Sequence, residues 1–340
     1  MNVIEMISAM FLSHMVAGTM DEMVFVLSHG GGCIDGLFSA ALLVYYMGVQ
    51  KRSVKLTFRD MEPTSHLLGE MDGKDVVMVD LVYFREYMEM VKEKAKSISI
   101  LEHHRGTKDT VVQYDGLFDD NDCGVMLVYK HILCDSKIRT ILEEGGKMLS
   151  RALVTVCVTI DAKDRFTLAW QSLEELKILH AVIANRVKTM DSTIEFIREL
   201  SNVTDKGYDK WKAQMMSEGK PLYQKELDFV ASIASRAEER EITLADGTKL
   251  TIARVPLANR KEKAVFSQVG DKVCAETGFP CITTLTPDDD PTFWISSIIT
   301  SPEVARSCGK TAADIAVGLG GKAAHTHCTG IRIMHDSGVF

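Results

Sequence analysis

Several things are missing from this chain, and each absence narrows what it can do. No cluster of Lys and Arg occurs: 39 basic residues are interspersed among 47 acidic ones, for a formal net charge of −8. Nothing therefore supplies the positive stripe that tracks a long duplex, and no long duplex nucleic acid is expected as a partner. Eight cysteines are present, yet no two form a Cys-x-x-Cys pair. That argues against a disulfide framework and a structural zinc site, and for a reducing, cytoplasmic setting. No apolar run is long enough to span a bilayer, so no membrane partner is expected. The opening MNVIEMISAMFLSHMVAGTM is interrupted by Glu5 and His14 and has no basic leader. It reads as a soluble N-terminal extension over 1–20, with apolar residues available to support a homo-oligomer.

Familiar local signatures are missing too. The glycine run HGGGC is not followed by Gly-Lys-Ser/Thr, which argues against a P-loop. The string LFDDNDCG keeps neither the alternate-residue ligand spacing nor the final glutamate of an EF-hand, and reads as the loop and cap before a helix that starts at Gly124. Ser39 sits in no nucleophile elbow. Trp170, Trp211 and Trp294 are too scattered to form a stacking platform.

What is present is a chain of 340 residues, longer than one hydrophobic core usually organises, so two domains are expected. In the N-terminal half, short runs rich in Val, Ile and Leu alternate with helical patterns, as in the βαβ units of a doubly wound parallel sheet. Strands are expected at 23–28, 53–58, 75–80, 97–101 and 111–114, with helices at 37–47, 85–96, 124–133 and 137–149; 152–160 fits either strand or helix. This half, 21–193, is expected to be the catalytic domain. Residues 194–240 read as a charged helical connector with Gly207 and Pro221 as breakers. A smaller mixed α/β domain follows over 241–340. It opens with a hairpin over 241–255 around Asp246-Gly247, continues with two strands in 279–299 around the acidic turn TPDDDP, and has a helix at 311–319.

Three apolar strands of the first half run into side chains that can bind metal. The first meets His29, Cys33 and Asp35, the third Asp80, and the fourth Glu102, His103 and His104. In an open parallel sheet, ligands bind beyond the carboxyl ends of the strands, so these residues would converge. A single Asp after a strand usually caps a helix or turn, and a lone His is more often structural. Three such strand ends together are harder to dismiss, because clustered carboxylates repel unless a cation neutralises them. An aspartate after the next long apolar run, Asp161 or Asp164, is a further candidate.

In order and spacing, HGGGCIDGLFSA, VVMVDL, ILEHHRG and IDAKDRF resemble the four motifs of the DHH phosphoesterase superfamily. GLGGKAAHTHCTGIRI resembles the glycine- and histidine-rich motif of the DHH-associated C-terminal domain. The resemblance implies two divalent ions, manganese or magnesium, bridged by an aspartate and activating water to attack phosphorus. Carried over by position, His29, Cys33 and Asp80 would hold one ion. Asp35, bridging Asp80, His103 and either Asp164, favoured because KDRF matches better, or Asp161 would hold the other. His104 would lie beside the phosphate as donor or general acid. His325 and Arg332 would contact the substrate, with Arg105 and Lys108 able to neutralise a second phosphate.

The chain departs from the family pattern at Cys33, where aspartate is usual; a thiolate favours softer metals such as zinc. Glu102 replaces the Asp of DHH, keeping the charge at a position expected to orient a neighbour. Ala323 and Ala324 stand where glycines are usual, which narrows the expected phosphate grip. The resulting expectation is a hydrolase of small nucleotide-like substrates: short oligoribonucleotides, nucleoside bisphosphates or cyclic dinucleotides. The site is expected in a cleft between two domains. The alternatives are a pyrophosphatase or polyphosphatase, and a nucleotide-binding protein that kept the fold without the chemistry.

Overall fold

The computed structural model describes residues 3–18, 23–30, 32–58, 61–165, 167–263, 265–286, 293–320 and 328–334. The chain divides into two compact units, Met1–Tyr223 and Gln224–Phe340. Among the described residues no helix is long and apolar enough to cross a membrane.

The first unit is built on a five-stranded sheet of order β2-β1-β3-β4-β5, with β1 Val24–His29, β2 Val54–Thr57, β3 Asp75–Val79, β4 Ser97–Glu102 and β5 Leu117–Phe118. All its pairings are parallel. The near-continuous apolar runs follow from burial of both faces. Val24, Val26, Val77 and Val79 pack on one side with Leu42, Leu127 and Val156. Phe25, Leu27, Val76 and Met78 pack on the other with Met71, Met88 and Val91. The chain leaves β1 toward β2 on one side and resumes at β3 on the other. The carboxyl ends of β1 and β3 therefore flank the point where the strand order reverses, the usual ligand position in such sheets.

Three expectations change here. Residues 111–114 belong mostly to the helix Lys108–Gln113, with Val111 buried and Val112 60 % exposed. The β-branched pair imitates a strand, but only one of the two faces the core, and the fifth strand is the short Leu117–Phe118. Pro221 does not break a helix: it lies inside Tyr208–Ala234, and the boundary between the two units falls within that same helix. A proline removes one backbone donor, and the flanking turns keep the remaining ladder. The N-terminal segment forms a helix, Val3–Ala17, whose Ile7 and Phe11 are buried in the core of the first unit, so the helix packs as part of that unit. Its His14 Nε2 lies 2.7 Å from Asp75 Oδ2. The segment that fitted either class, 152–160, is helical, within Arg151–Asp164.

The second unit carries a mixed five-stranded sheet of order β10-β9-β8-β7-β6, with β6 Glu238–Thr243, β7 Lys249–Pro256, β8 Cys281–Leu285, β9 Phe293–Ile299 and β10 Cys328–Met334. Within this sheet, β7 and β8 pair in parallel and the other described pairings are antiparallel. The hairpin closes as its sequence demands: Gly247 adopts φ 80° and Asp246 accepts from the Thr248 amide at 2.9 Å. The acidic turn lies largely outside the described residues, at 287–292.

Candidate metal centre

Each strand end delivers its side chain by a local device. At the end of β1 the chain turns into the helix Ile34–Leu42, with Cys33 as N-cap; its Sγ accepts from the Gly36 amide at 3.4 Å. A Cβ on Gly36 would meet the His29 carbonyl oxygen at 2.4 Å, so glycine is what lets helix and strand lie this close. His29, Cys33 and Asp35 thereby share one corner. After β3, Asp80 takes φ 56°, the left-handed region, which Asp tolerates better than most residues but still at a cost of roughly 1–3 kcal/mol. The Asp80 amide is held by the Leu101 carbonyl at 3.0 Å. At the end of β4, one Glu102 oxygen accepts from the His103 amide at 2.8 Å, the His104 amide at 2.8 Å and His104 Nδ1 at 2.7 Å. The two amide bonds fix the backbone that carries both histidines, and the third orients the His104 ring.

The resulting geometry centres on Asp80, which is 2 % exposed. Its Oδ2 lies 3.4 Å from Cys33 Sγ and 3.8 Å from His29 Nδ1. Its Oδ1 lies 3.0 Å from His103 Nε2 and 3.7 Å from His104 Nδ1. That one His103 nitrogen also faces Asp35 Oδ2 at 3.7 Å and Asp164 Oδ2 at 3.5 Å. Two separate donor groups follow, His29–Cys33–Asp80 and Asp35–His103–Asp164, in each of which the donor atoms lie within 4.8 Å of one another. Asp80 joins the first directly and the second through His103.

The charges are strongly perturbed. Burial, then the charges of Asp80 and Asp164, push the Asp35 carboxyl well above the usual carboxylate range, although His103 and the Val125 amide oppose them. Burial also works to raise Asp80, but His103, His104 and His29 outweigh it and hold this carboxyl low. His103 is pushed up to about 10: burial favours the neutral ring, but the Asp80 hydrogen bond and the charges of Asp164, Asp35 and Asp80 prevail. The Glu102 carboxylate raises His104 against its burial. Burial and three neighbouring aspartates keep the Cys33 thiol protonated well above its ordinary range. A positive charge is thus favoured at this spot.

The structure separates the two aspartates of the helix Arg151–Asp164. Asp164 faces His103 as above. Asp161 accepts from the Cys123 amide at 2.8 Å and forms a two-pronged pair with Arg165, at 2.8 Å for each bond. Arg105 is exposed and pairs with Asp120 at 2.9 Å, while Lys108 lies over the Phe118 ring. Arg332 is placed on β10 opposite Ile295, and His325 lies outside the described residues.

Gly124 escaped the sequence reading as part of the site. The amides of Gly124 and Val125, at the start of the helix Gly124–Val128, donate to the two Asp35 oxygens at 2.7 and 2.6 Å. A Cβ at Gly124 would come within 2.7 Å of Asp80 Cβ and 3.0 Å of Asp35 Oδ2. The signal was a glycine opening an apolar helix after an acidic loop, which looks the same at any helix start.

No protein-family model matches the chain, and no curated protein does. Solved structures do. The DHH domain of a protein described as a member of a family of ribosomal proteins aligns over 97 % of this chain and 87 % of its own, at TM-score 0.60 and 14 % identity. RecJ from Thermus thermophilus, in complex with Mn2+, aligns over 99 % of this chain and 53 % of its own, at TM-score 0.50 and 13 % identity. This chain thus spans about half the length of that RecJ. At such identities the likeness concerns the fold alone: the chain shares the fold of that DHH domain.

Proposed function

We propose that the chain is a divalent-metal-dependent phosphoesterase acting on small nucleotide-like substrates, with the first unit catalytic and the second binding substrate as a DHH-associated domain. The observation that carries this reading is the position of Asp80. Its two oxygens face two separate donor groups, the arrangement a carboxylate needs to bridge a pair of ions. The donors fit such ions: Asp35, Asp80, Asp164 and His103 offer the hard oxygen and imidazole set of manganese or magnesium, and His29 and Cys33 complete the other half around Asp80. When bound, a pair of divalent ions supplies Lewis acidity toward a phosphoryl oxygen and lowers the pKa of water.

The chain's own residues do the rest. Asp35 is held by the Gly124 and Val125 amides, and the His103 ring by its hydrogen bond to Asp80. Glu102 grips His104 through Nδ1, which leaves Nε2 as the ring atom we assign to donating a proton to the departing oxygen. His325 and Arg332 are proposed to contact the substrate phosphate or base, and Arg105 a second phosphate once it leaves Asp120.

The test is hydrolysis of a dinucleotide and of a nucleoside bisphosphate by metal-stripped protein, reconstituted in parallel with manganese, magnesium or zinc. Turnover that requires added metal and falls by more than about 100-fold in Asp80→Ala, beyond what loss of an outer partner causes, is the expected result. Metal-independent turnover, or an Asp80→Ala variant as active as the parent, would sink the reading. A nucleotide-binding protein is the second reading, favoured by the Cys33 thiol seated against Asp80. It predicts nucleotide binding without turnover, and cleavage restored by Cys33→Asp.

A further inference from the structure

Resting on the metal-binding part of that reading, we propose that the two halves of the centre are chemically unlike. The His29–Cys33–Asp80 half takes a thiophilic divalent ion such as zinc, through a Cys33 thiolate, while the Asp35–His103–Asp164 half takes an oxygen-preferring ion such as manganese.

Both donor type and spacing support this. The first group is one imidazole, one sulfur and one carboxylate, the mixture that suits zinc; the second is one imidazole and two carboxylates, with Asp80 Oδ1 beside it. Zinc holds sulfur at about 2.3 Å and nitrogen or oxygen at about 2.0–2.2 Å, so neighbouring donors in a tetrahedron with one sulfur stand about 3.3–3.7 Å apart. Cys33 Sγ and His29 Nδ1 stand 3.4 and 3.8 Å from the same Asp80 oxygen. The third spacing, between Cys33 and His29, is within 4.8 Å. Three protein ligands leave a fourth tetrahedral position open, the pattern of a catalytic rather than a structural zinc site.

The sulfur is also aimed. Cys33 caps the helix Ile34–Leu42 with its Sγ accepting from the Gly36 amide, and its S–H donates to Asp80 Oδ2, so the proton a metal would replace faces the carboxylate that also lies beside His29. Binding replaces the S–H bond by a sulfur–metal bond and releases one proton to solvent for each ion bound. The same position explains why the substitutions that test the idea should fold: Ser and Asp are both good N-caps.

Cobalt(II) is the probe, added to the metal-stripped full-length chain and followed by absorption. A sulfur-to-cobalt charge-transfer band in the near ultraviolet is expected in the parent and lost in both Cys33→Ser and Cys33→Asp. Zinc added to protein loaded with manganese should then displace one equivalent and leave one. In Cys33→Asp the preference for zinc over manganese should drop by at least about 10-fold. Cobalt bound with no sulfur band, or an unchanged zinc-to-manganese preference in Cys33→Asp, would overturn the proposal. Neither readout uses turnover. A sulfur band in a chain that hydrolyses nothing would overturn the phosphoesterase reading alone, and manganese-dependent turnover without the band would overturn this inference alone.

Discussion

Asp75 and Asp80 stand at opposite ends of one strand, both buried, and their surroundings differ in kind. Asp75 opens β3 and is surrounded by donors: His14 Nε2 at 2.7 Å, Ser97 Oγ at 2.7 Å and Lys96 Nζ at 3.1 Å. Burial acts to raise its carboxyl, but these bonds outweigh it and hold the group below the usual range. Asp80, just past the other end, shares its pocket with Asp35 and Asp164, and the side chains that face it among the described residues are imidazoles and a thiol. A carboxylate satisfied by its own protein is structural, whereas one set among other carboxylates implies a cation from outside. Residue type does not separate the two; the inventory of partners does.

The largest effect that would sharpen this contrast is on metal binding. Asp80→Ala should abolish uptake at both halves, because each loses a donor, and calorimetric titration with manganese should show no high-affinity site. Retention of one tight site would mean that Asp80 does not serve both. Next is Asp75→Asn, expected to cost about 1.5–3 kcal/mol in urea unfolding at neutral pH, the range for hydrogen bonds to a charged group, without changing metal affinity. Because the folded-state pKa of Asp75 is depressed, its contribution is present above the unfolded value of about 3.9 and is lost as pH falls through the folded value. Parent and variant stabilities should therefore converge in acid. A constant gap at every pH would show that the charge is not what matters.

A smaller effect is expected at Gly124→Ala. The added methyl meets Asp80 Cβ, which cannot swing aside as the tip of a flexible side chain would. About 1–3 kcal/mol of destabilisation and weaker metal uptake should follow. Smallest in stability is Asp164→Asn, which removes one of the carboxylates around His103. The metal-free variant should be as stable as the parent or more so, while manganese affinity falls. A clear loss of metal-free stability would place Asp164 with Asp75 among the structural carboxylates.

Much of this was legible in the sequence because parallel strands are apolar throughout and end where the chemistry begins. His29, Asp80 and His103 come together as the strand-end pattern implies. The fifth strand was not legible, since two strand residues leave no period to read, and the valines at 111–112 carry β character into a helix. The N-terminal segment read as an extension because nothing in its sequence shows that His14 reaches Asp75. The choice between Asp161 and Asp164 stayed open for a geometric reason. The two sit three residues apart on one helix, near enough to the same face that only the Cys123 amide and Arg165, unknown to the sequence, divide them.

The most direct test of the centre is a crystal structure of the full-length chain soaked in manganese, with anomalous scattering used to locate the ions. Two peaks about 3.5–4 Å apart with an Asp80 oxygen toward each are predicted, or a single peak at Asp80, Asp35, His103 and Asp164 if the thiol half rejects manganese. Peaks elsewhere, such as the group Asp119, Asp122 and His131, with none at Asp80, would contradict the account.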